Sequence, residues 1–157
     1  MNLELKPSAT SVDGFTEIYN SNTAFLERHI GVRKVDANWC ADELTQMSAG
    51  GFCRYDIIGD NGANMGFLEC AFGQQTYLSL IILHSDFHNS GIGALAMDVF
   101  ECLAKSKGAK SIRIDVVTDY ADNSLGFWKR RNYIKDDEVT LSWGDRKIPA
   151  IKMVKPL

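Results

Sequence analysis

Apolar and polar residues follow two different periods on either side of a short polar stretch near the middle of the chain. Residues 77–83 form a nearly unbroken apolar run bounded by polar positions, which is typical of a strand covered on both faces. Residues 92–104 carry apolar side chains at steps of three and four, which predicts one amphipathic helix. The pattern therefore predicts a strand–loop–helix unit, with the polar loop His88–Gly93 between its two elements.

The segments on both sides of this unit predict an α/β fold. Alternating segments before it indicate an antiparallel meander, and a strand after it implies that the helix crosses over a mixed sheet. Helical periodicity in residues 11–30 is interrupted at Asn20-Ser21-Asn22, so that one bent helix and two separate helices both fit. Asp36 is a suitable cap for the next helix. Other strands are expected at residues 2–6, 53–57, 65–72, 111–117, 134–142 and 148–154, with a short helix around Phe127 and Trp128.

Size and composition indicate one ordinary globular domain. The chain has 157 residues, of which 45% are hydrophobic and 24% are charged, and its net charge is −3. We therefore expect a single domain over residues 1–157 without a nucleic-acid surface or a polybasic membrane patch. The amino terminus lacks a secretory signal, and no stretch approaches the roughly 20 apolar residues that a membrane span needs. A cytoplasmic protein is the expectation.

The cysteines do not indicate a disulfide framework or a metal centre. Cys40, Cys53, Cys70 and Cys102 lie within apolar segments and form no C-x-x-C pair. This spacing predicts reduced core residues of an intracellular protein, and no bound metal.

The loop before the long helix has the composition of an anion-binding site. The first turn of a helix has unpaired N–H groups and a partial positive charge, and small residues let a ligand approach the main chain. Gly91 and Gly93 fit that role. A tight strand-to-helix turn explains the same two glycines equally well, so this fragment alone leaves both interpretations open.

Two motifs resemble those of a known family. Leu83 to Gly93 is similar to the acetyl-coenzyme A (acetyl-CoA) motif of the GCN5-related N-acetyltransferase (GNAT) family, in which a strand ends and a Gln/Arg-x-x-Gly-x-Gly/Ala loop holds the pyrophosphate. Residues 127–133 resemble the second signature, an aromatic pair followed four residues later by Gly-Phe. The resemblance implies a mixed, mostly antiparallel sheet of six to seven strands, with a V-shaped splay between the central strands and about four flanking helices.

The resemblance also implies an activity. It is the transfer of an acetyl group from acetyl-CoA to a primary amine of a small molecule or peptide, by direct attack in a ternary complex. Acetyl-CoA and an amine acceptor would be the partners, no metal would take part, and the family often pairs through its sheet edges. The implied coenzyme-binding positions, carried over from the family, are Ile81, Ile82, Leu83, His88, Asn89, Ser90, Gly91, Ile92, Gly93, Asn123 and Trp128.

The chain departs from the family pattern at several of these positions. His88 replaces the Gln or Arg that normally opens the loop; its ring could contact phosphate, or the N–H groups of its neighbours could do the binding. Trp128 takes the place of a tyrosine that often protonates the leaving thiolate, and an indole cannot do so. Asn123 lies two positions from the usual pantetheine-binding asparagine, and Asn123 or Asp122 could instead cap the short helix. These departures motivate the alternative of a CoA-binding sensor or scaffold without turnover.

No general base is evident in the sequence. Tyr77 occupies the position at which the histone-acetylating branch of the family has a glutamate. The candidates are an acid in the preceding strand, an acid in an otherwise apolar strand, a histidine at the end of the central strand, and a tyrosine that could serve as the acid. These are Glu69, Asp115, His84 and Tyr120. Each could equally face the solvated side of its strand, or a water chain could carry the proton.

Overall fold

The structure is a computed structural model that describes all residues from Met1 to Leu157. It contains seven strands, five α-helices and one 3-10 turn at Ser85–Phe87. The strands are β1 (Glu4–Pro7), β2 (Cys53–Ile58), β3 (Asn64–Ala71), β4 (Gln75–Leu83), β5 (Ser111–Val116), β6 (Ile134–Trp143) and β7 (Arg146–Pro156). The helices are α1 (Val12–Asn20), α2 (Thr23–His29), α3 (Ala37–Ala49), α4 (Ile92–Ser106) and α5 (Leu125–Arg130).

All seven strands form one sheet in the order β1-β2-β3-β4-β5-β7-β6. Every neighbouring pair is antiparallel except β4 and β5, which are parallel because α4 crosses over between them. The ladder between β4 and β5 consists of three pairs, Gln75 with Ser111, Thr76 with Ile112 and Tyr77 with Arg113. Both strands continue beyond this ladder without further pairing to each other, although β4 stays paired with β3 and β5 with β7. The predicted mixed sheet and the splay between its central strands are therefore confirmed.

Helices cover the two faces of the sheet and bury separate parts of the core. On one face α4 and α5 pack against β3, β4, β5 and β7, where Met97, Phe100 and Ile112 are fully buried. On the other face α1, α2 and α3 cover β3 and β4, where Phe15, Tyr19, Leu26 and Phe67 form the centre. Leu78 and Ile81 of β4 contact the first core, and Leu80 and Ile82 of β4 contact the second. The expectation of a central strand covered on both faces is confirmed.

The structure decides one alternative that the sequence left open and departs from the local expectations at two other places. The helical stretch before residue 30 is two helices, because α1 ends at Asn20 and α2 begins after Asn22. Neither Asp122 nor Asn123 is the N-cap of α5, which is Ser124, although the Asn123 side chain accepts the Leu125 N–H. The 3-10 turn after β4 was not expected.

The prediction for the cysteines is correct for only two of the four. All are free thiols, and Cys40 and Cys70 are buried as expected. Cys53 and Cys102 are exposed, because Cys53 begins β2 and Cys102 lies on the solvent side of α4. No helix combines the length and the apolar character needed to cross a bilayer.

Candidate functional site

Six consecutive main-chain N–H groups are unpaired where β4 passes into α4. None of the N–H groups from Asn89 to Ala94 donates a hydrogen bond within the protein. The first N–H of this segment to find an acceptor is that of Leu95, which bonds the Gly91 carbonyl at 3.2 Å. Unpaired donors at the start of a 15-residue helix make a site for an anion, since the helix dipole adds to their positive potential.

Left-handed backbone at two residues creates the shape of this loop. Asn89 has φ +56° and Gly91, the N-cap of α4, has φ +81°. A Cβ built at Gly91 would meet no atom within 4 Å, so the space above this residue is open. Gly93 differs, because a Cβ there would be in ordinary contact with Phe127 and Leu83. Gly91 is therefore the glycine at which a ligand can approach the main chain.

The polar side chains of the loop support its backbone. The His88 Nε2 lies 3.1 Å from the Leu83 carbonyl, which can only accept, so Nε2 carries the proton. The Ser90 hydroxyl donates to the Phe87 carbonyl at 2.5 Å. A neutral His88 ring has thus used its one N–H on the protein, which leaves ligand binding to the main-chain donors of its neighbours.

The end of β4 lies beside this loop and along the splay. Ile81 packs toward α4, while Ile82 is buried on the opposite face beneath α1 and α2. The carbonyl of Leu83 also accepts the Asn22 side-chain amide at 2.9 Å, a contact from the start of α2 that the sequence did not predict. The buried Ile92 side chain holds the first turn of α4 on the sheet.

Asn123 and Trp128 are bound within the protein. The Asn123 amide donates to the carbonyls of Thr118 and Tyr120 at 3.2 and 2.7 Å, and so holds the loop between β5 and α5. Trp128 is only 5% exposed, and its ring N–H donates to Ser124 at 3.0 Å. Both residues shape the wall of the β5–α5 segment, and their contact with a coenzyme stays a prediction.

Glu69 is buried in an ion pair. Its carboxylate lies 2.5 Å from the Arg54 guanidinium, and its side chain is 3% exposed. Burial raises the pKa of Glu69, and Arg54 opposes that shift through its charge and hydrogen bonds. Glu43 of α3 feels the same environment, since burial and then the charge of Glu69 raise its pKa.

Asp115 is the centre of a hydrogen-bonded network on β5. Its carboxylate accepts the Tyr77 hydroxyl at 2.8 Å and two Arg113 N–H groups at 3.0 Å, and its side chain is 2% exposed. Burial and the adjacent charge of Asp115 raise the pKa of Tyr77. The network lies at the point where the β4–β5 ladder ends, so it locks the two strands together just below the splay.

His84 follows β4 directly and caps the 3-10 turn. Its Nδ1 accepts the Asp86 N–H at 3.1 Å, and its Nε2 lies 3.9 Å from the Glu17 carboxylate. The ring is therefore oriented by the turn and by α1. Tyr133 is a core residue, 2% exposed, and its hydroxyl donates to Glu101 at 3.2 Å.

Tyr120 lies in the loop after β5 beside a residue that the sequence did not single out. The rings of Tyr120 and His29 meet edge to face with centroids 5.8 Å apart. Burial raises the pKa of the Tyr120 hydroxyl. His29 is buried, with 7% of its surface exposed. No motif near it in the sequence marks it as a candidate. Only the packing of α2 against this loop brings the pair together.

Two open cavities flank the loop after β5. One, of about 310 Å³, lies between α2 and the loop and is lined by Ala24, Glu27, Arg28, Tyr120, Ala121 and Asp122. The other, of about 470 Å³, lies between the loop and the β6–β7 hairpin, with Thr118 and Asp119 on one side. No group of His, Cys, Asp and Glu side chains is arranged to hold a metal ion.

Comparison with known proteins identifies the fold and the family. A family model described as the acetyltransferase (GNAT) family matches residues 14–133, which is most of the chain. The chain belongs to the GNAT family. The matched segment of this GNAT chain includes both the loop at residues 88–93 and the segment from Phe127 to Tyr133. Comparison with curated protein sequences gives no match.

Solved structures share the GNAT fold over almost the full chain. A GCN5-related N-acetyltransferase from Rhodopseudomonas palustris has a TM-score of 0.74 at 19% identity, and the match covers 99% of this chain and 95% of that one. The ribosomal L7/L12 alpha-N-protein acetyltransferase RimL, solved with coenzyme A, has a TM-score of 0.75 at 15% identity over 99% and 94%. A chimera of the spermidine N-acetyltransferase SpeG from Vibrio cholerae has a TM-score of 0.71 at 10% identity over 99% and 96%.

Proposed function

We propose that residues 1–157 form one acetyl-CoA-dependent N-acetyltransferase domain. It transfers the acetyl group to a primary amine of a small molecule or peptide, by direct attack within a ternary complex. The observation that carries this proposal is the run of six unpaired N–H groups from Asn89 to Ala94, at the mouth of the splay between β4 and β5. A cytoplasmic location and pairing of two copies stay predictions.

The residues at this corner fit the diphosphate of coenzyme A. The donors come from the main chain of Asn89, Ser90, Gly91, Ile92 and Gly93, with His88 bracing the loop. The open space at Gly91 leaves room for a bulky anion. Main-chain donors require no side-chain rearrangement, and they point outward at the positive end of α4. Family membership supports the same ligand.

The splay provides the place for the pantetheine arm. Beyond Tyr77, β4 makes no ladder pairs with β5. This unpaired stretch of β4 contains Ile81, Ile82 and Leu83. An extended chain lying there would bond to these main-chain groups in the way that an added strand does. Asn123 and Trp128 then belong to the opposite wall.

The residues of the chain supply positioning and proton transfer, while the thioester supplies the activated acetyl group. Attack on a thioester needs a fixed carbonyl with a hydrogen-bond donor at its oxygen and an acceptor for the proton of the amine. Glu69 and Asp115 are both engaged in ion pairs with arginines, and Asp115 is sealed by three hydrogen bonds. These two carboxylates are therefore better placed to fix the scaffold than to exchange protons.

Two measurements on the purified protein test the proposal. Calorimetric titration with acetyl-CoA is expected to give saturable binding, and release of free thiol is expected with at least one amine among spermidine, kanamycin and a short peptide with a free amino terminus. Absence of acetyl-CoA binding would overturn the assignment of the site. Tight binding without thiol release on a wider panel of amines would instead support the sensor alternative.

A nucleotide control separates coenzyme A from other phosphate ligands. Acetyl-CoA is expected to raise the melting temperature by mass action, whereas ATP at equal concentration is expected to raise it less. Stabilisation by ATP alone would contradict the assignment, because the pantetheine arm would then contribute nothing.

A further inference from the structure

His29 lies on a helix that is bonded to both strands of the splay. At the start of α2, the Asn22 amide donates to the Leu83 carbonyl at the end of β4. At its end, Arg28 makes two 2.6 Å hydrogen bonds with Asp119, three residues after β5. The helix therefore bridges the diverging ends of β4 and β5, and the ring of His29, its last residue, packs against Tyr120 in the loop after β5.

The hydrogen bonding of the His29 ring determines which nitrogen can accept a proton. Its Nδ1 lies 3.0 Å from the Phe25 carbonyl. Because a carbonyl only accepts, Nδ1 carries the hydrogen, and in the neutral ring Nε2 holds a lone pair. This Nε2 has no hydrogen-bond partner. It is not fully buried, since the only fully buried side-chain nitrogen and oxygen atoms without a partner are Arg131 Nε and Trp143 Nε1.

The surroundings of His29 keep the ring neutral. Burial lowers the pKa of His29, and the charges of Arg28 on α2 and Arg146 on β7 lower it further. The Phe25 carbonyl and Asp119 raise the pKa of His29, but together they do not offset the lowering by burial and the two arginines. The Tyr120 ring also packs against the imidazole, and burial raises the pKa of the Tyr120 hydroxyl. Because its pKa is lowered, the His29 imidazole is unprotonated at neutral pH and is available as a base.

Three aromatic rings pack against the His29 imidazole. Phe25 stacks on the imidazole with centroids 4.1 Å apart, and Trp143 and Tyr120 meet it edge to face at 5.6 and 5.8 Å. These three rings fix the orientation of the imidazole.

We propose that His29 is the general base of the acetyl transfer, with Nε2 as the atom that takes the proton from the ammonium group of the acceptor. The inference rests on the proposed N-acetyltransferase function. After this proton transfer, the amine nitrogen forms its bond to the acetyl carbon and the carbon–sulfur bond breaks. A second proton from nitrogen passes to sulfur, so that the products are the amide and free coenzyme A. The protonated His29 then returns its proton to solvent.

The variant His29→Asn tests the proposal, because its amide can keep the bond to Phe25 while Nε2 is removed. With the best amine of the panel above, kcat/KM is expected to fall by about 10²- to 10⁴-fold, with unchanged affinity for acetyl-CoA. In the wild type, kcat/KM is expected to rise with pH through the lowered pKa of His29. This limb is expected to disappear in His29→Asn.

The variant His84→Asn tests the competing assignment of His84 as the base, since His84 directly follows β4. Loss of the limb in His84→Asn together with its retention in His29→Asn would overturn the proposal. If neither the wild type nor the variants turn over any amine but all bind acetyl-CoA, the enzymatic function itself fails, and the base fails with it.

A measurement without turnover checks the same atom. In a protein labelled with ¹⁵N-histidine, the signal that is lost in His29→Asn identifies His29 among the three histidines. It is expected to show hydrogen on Nδ1 and to titrate below pH 6.5. Hydrogen on Nε2, or titration above that value, would refute the assignment even if the enzyme is active.

Discussion

The two sides of the splay are built in opposite ways. The proposed coenzyme side is a single segment of chain, in which six main-chain N–H groups from Asn89 to Ala94 have no acceptor within the protein. The proposed acceptor side brings together His29 from α2, Tyr120 from the loop after β5, and Trp143 from β6. Main-chain N–H groups alone can bind a diphosphate. Recognition of one particular amine needs side chains.

This difference predicts how the two sides respond to mutation. The coenzyme loop depends on backbone shape and charge, so its sensitive positions are those where a side chain would intrude. The acceptor side depends on contacts between elements, so changes there are expected to alter the handling of the amine while coenzyme binding persists. The four predictions below test that separation.

The largest effect is expected from Gly91→Asp. A carboxylate in the open space at Gly91 would repel the diphosphate, and acetyl-CoA is expected to bind roughly 100-fold more weakly or worse. Gly62→Asp is the matched control, because Gly62 also has positive φ (+77°) and open space around its Cβ position. Calorimetry that gives equal affinities for the two folded variants would remove the loop from the coenzyme site.

Asp115→Asn is expected to reduce stability. The change leaves the Arg113 guanidinium without its buried counterion, which is expected to lower the free energy of unfolding by about 2–3 kcal/mol in urea titrations. Asp136→Asn is the control, since its pair with Lys152 is more exposed, and a change within about 0.5 kcal/mol is expected. An Asp115→Asn protein of normal stability but without activity would instead identify Asp115 as a base.

A smaller effect is expected from Arg28→Gln, which breaks the link between α2 and the loop after β5. Loss of its pair with Asp119 is expected to raise the KM for the amine a few-fold, with unchanged acetyl-CoA affinity. Arg33→Gln, which removes the exposed pair with Glu27, should leave both constants as they are. Equal effects of the two variants would show that α2 does not depend on this contact.

The smallest effect concerns the pH dependence of stability. Because the folded state lowers the pKa of His29, the unfolded chain binds more protons between that value and the unfolded value of about 6.5. The free energy of unfolding therefore rises with pH across this window and is partly lost as the pH falls through it. His29→Asn should flatten the slope, as measured by urea titrations at several pH values. An unchanged slope would mean that His29 is not shifted.

Sequence-based prediction succeeded for the coenzyme loop, which is one segment of chain, and was less successful for contacts between distant segments. The β4–loop–α4 unit was predicted because its apolar periods, its glycines and its helix start are all local features. The 3-10 turn at Ser85–Phe87 was missed, since no apolar period marks such a short element. The interruption at Asn22 was noticed, but its bond to Leu83, 61 residues away, was not.

The candidate bases show the limit more sharply. Glu69 and Asp115 were chosen as acids among apolar neighbours, and both are buried as that reasoning suggested. What the sequence did not show is that each carboxylate already has an arginine partner on the protein. His29 was not chosen, because its neighbours Tyr120 and Trp143 are about 90 residues or more further along the chain.

The sequence by itself determined the order of strands and helices, the crossover between β4 and β5, and the start of α4 behind a loop with two glycines. These follow from side-chain period and helix termini, which act over a few residues. Only the tertiary structure decided which nitrogen of His29 carries hydrogen, which carboxylates are neutralised and where the two central strands part. Those properties depend on burial and on distances between groups far apart in the chain, and they exist only once the sheet and its helices have packed.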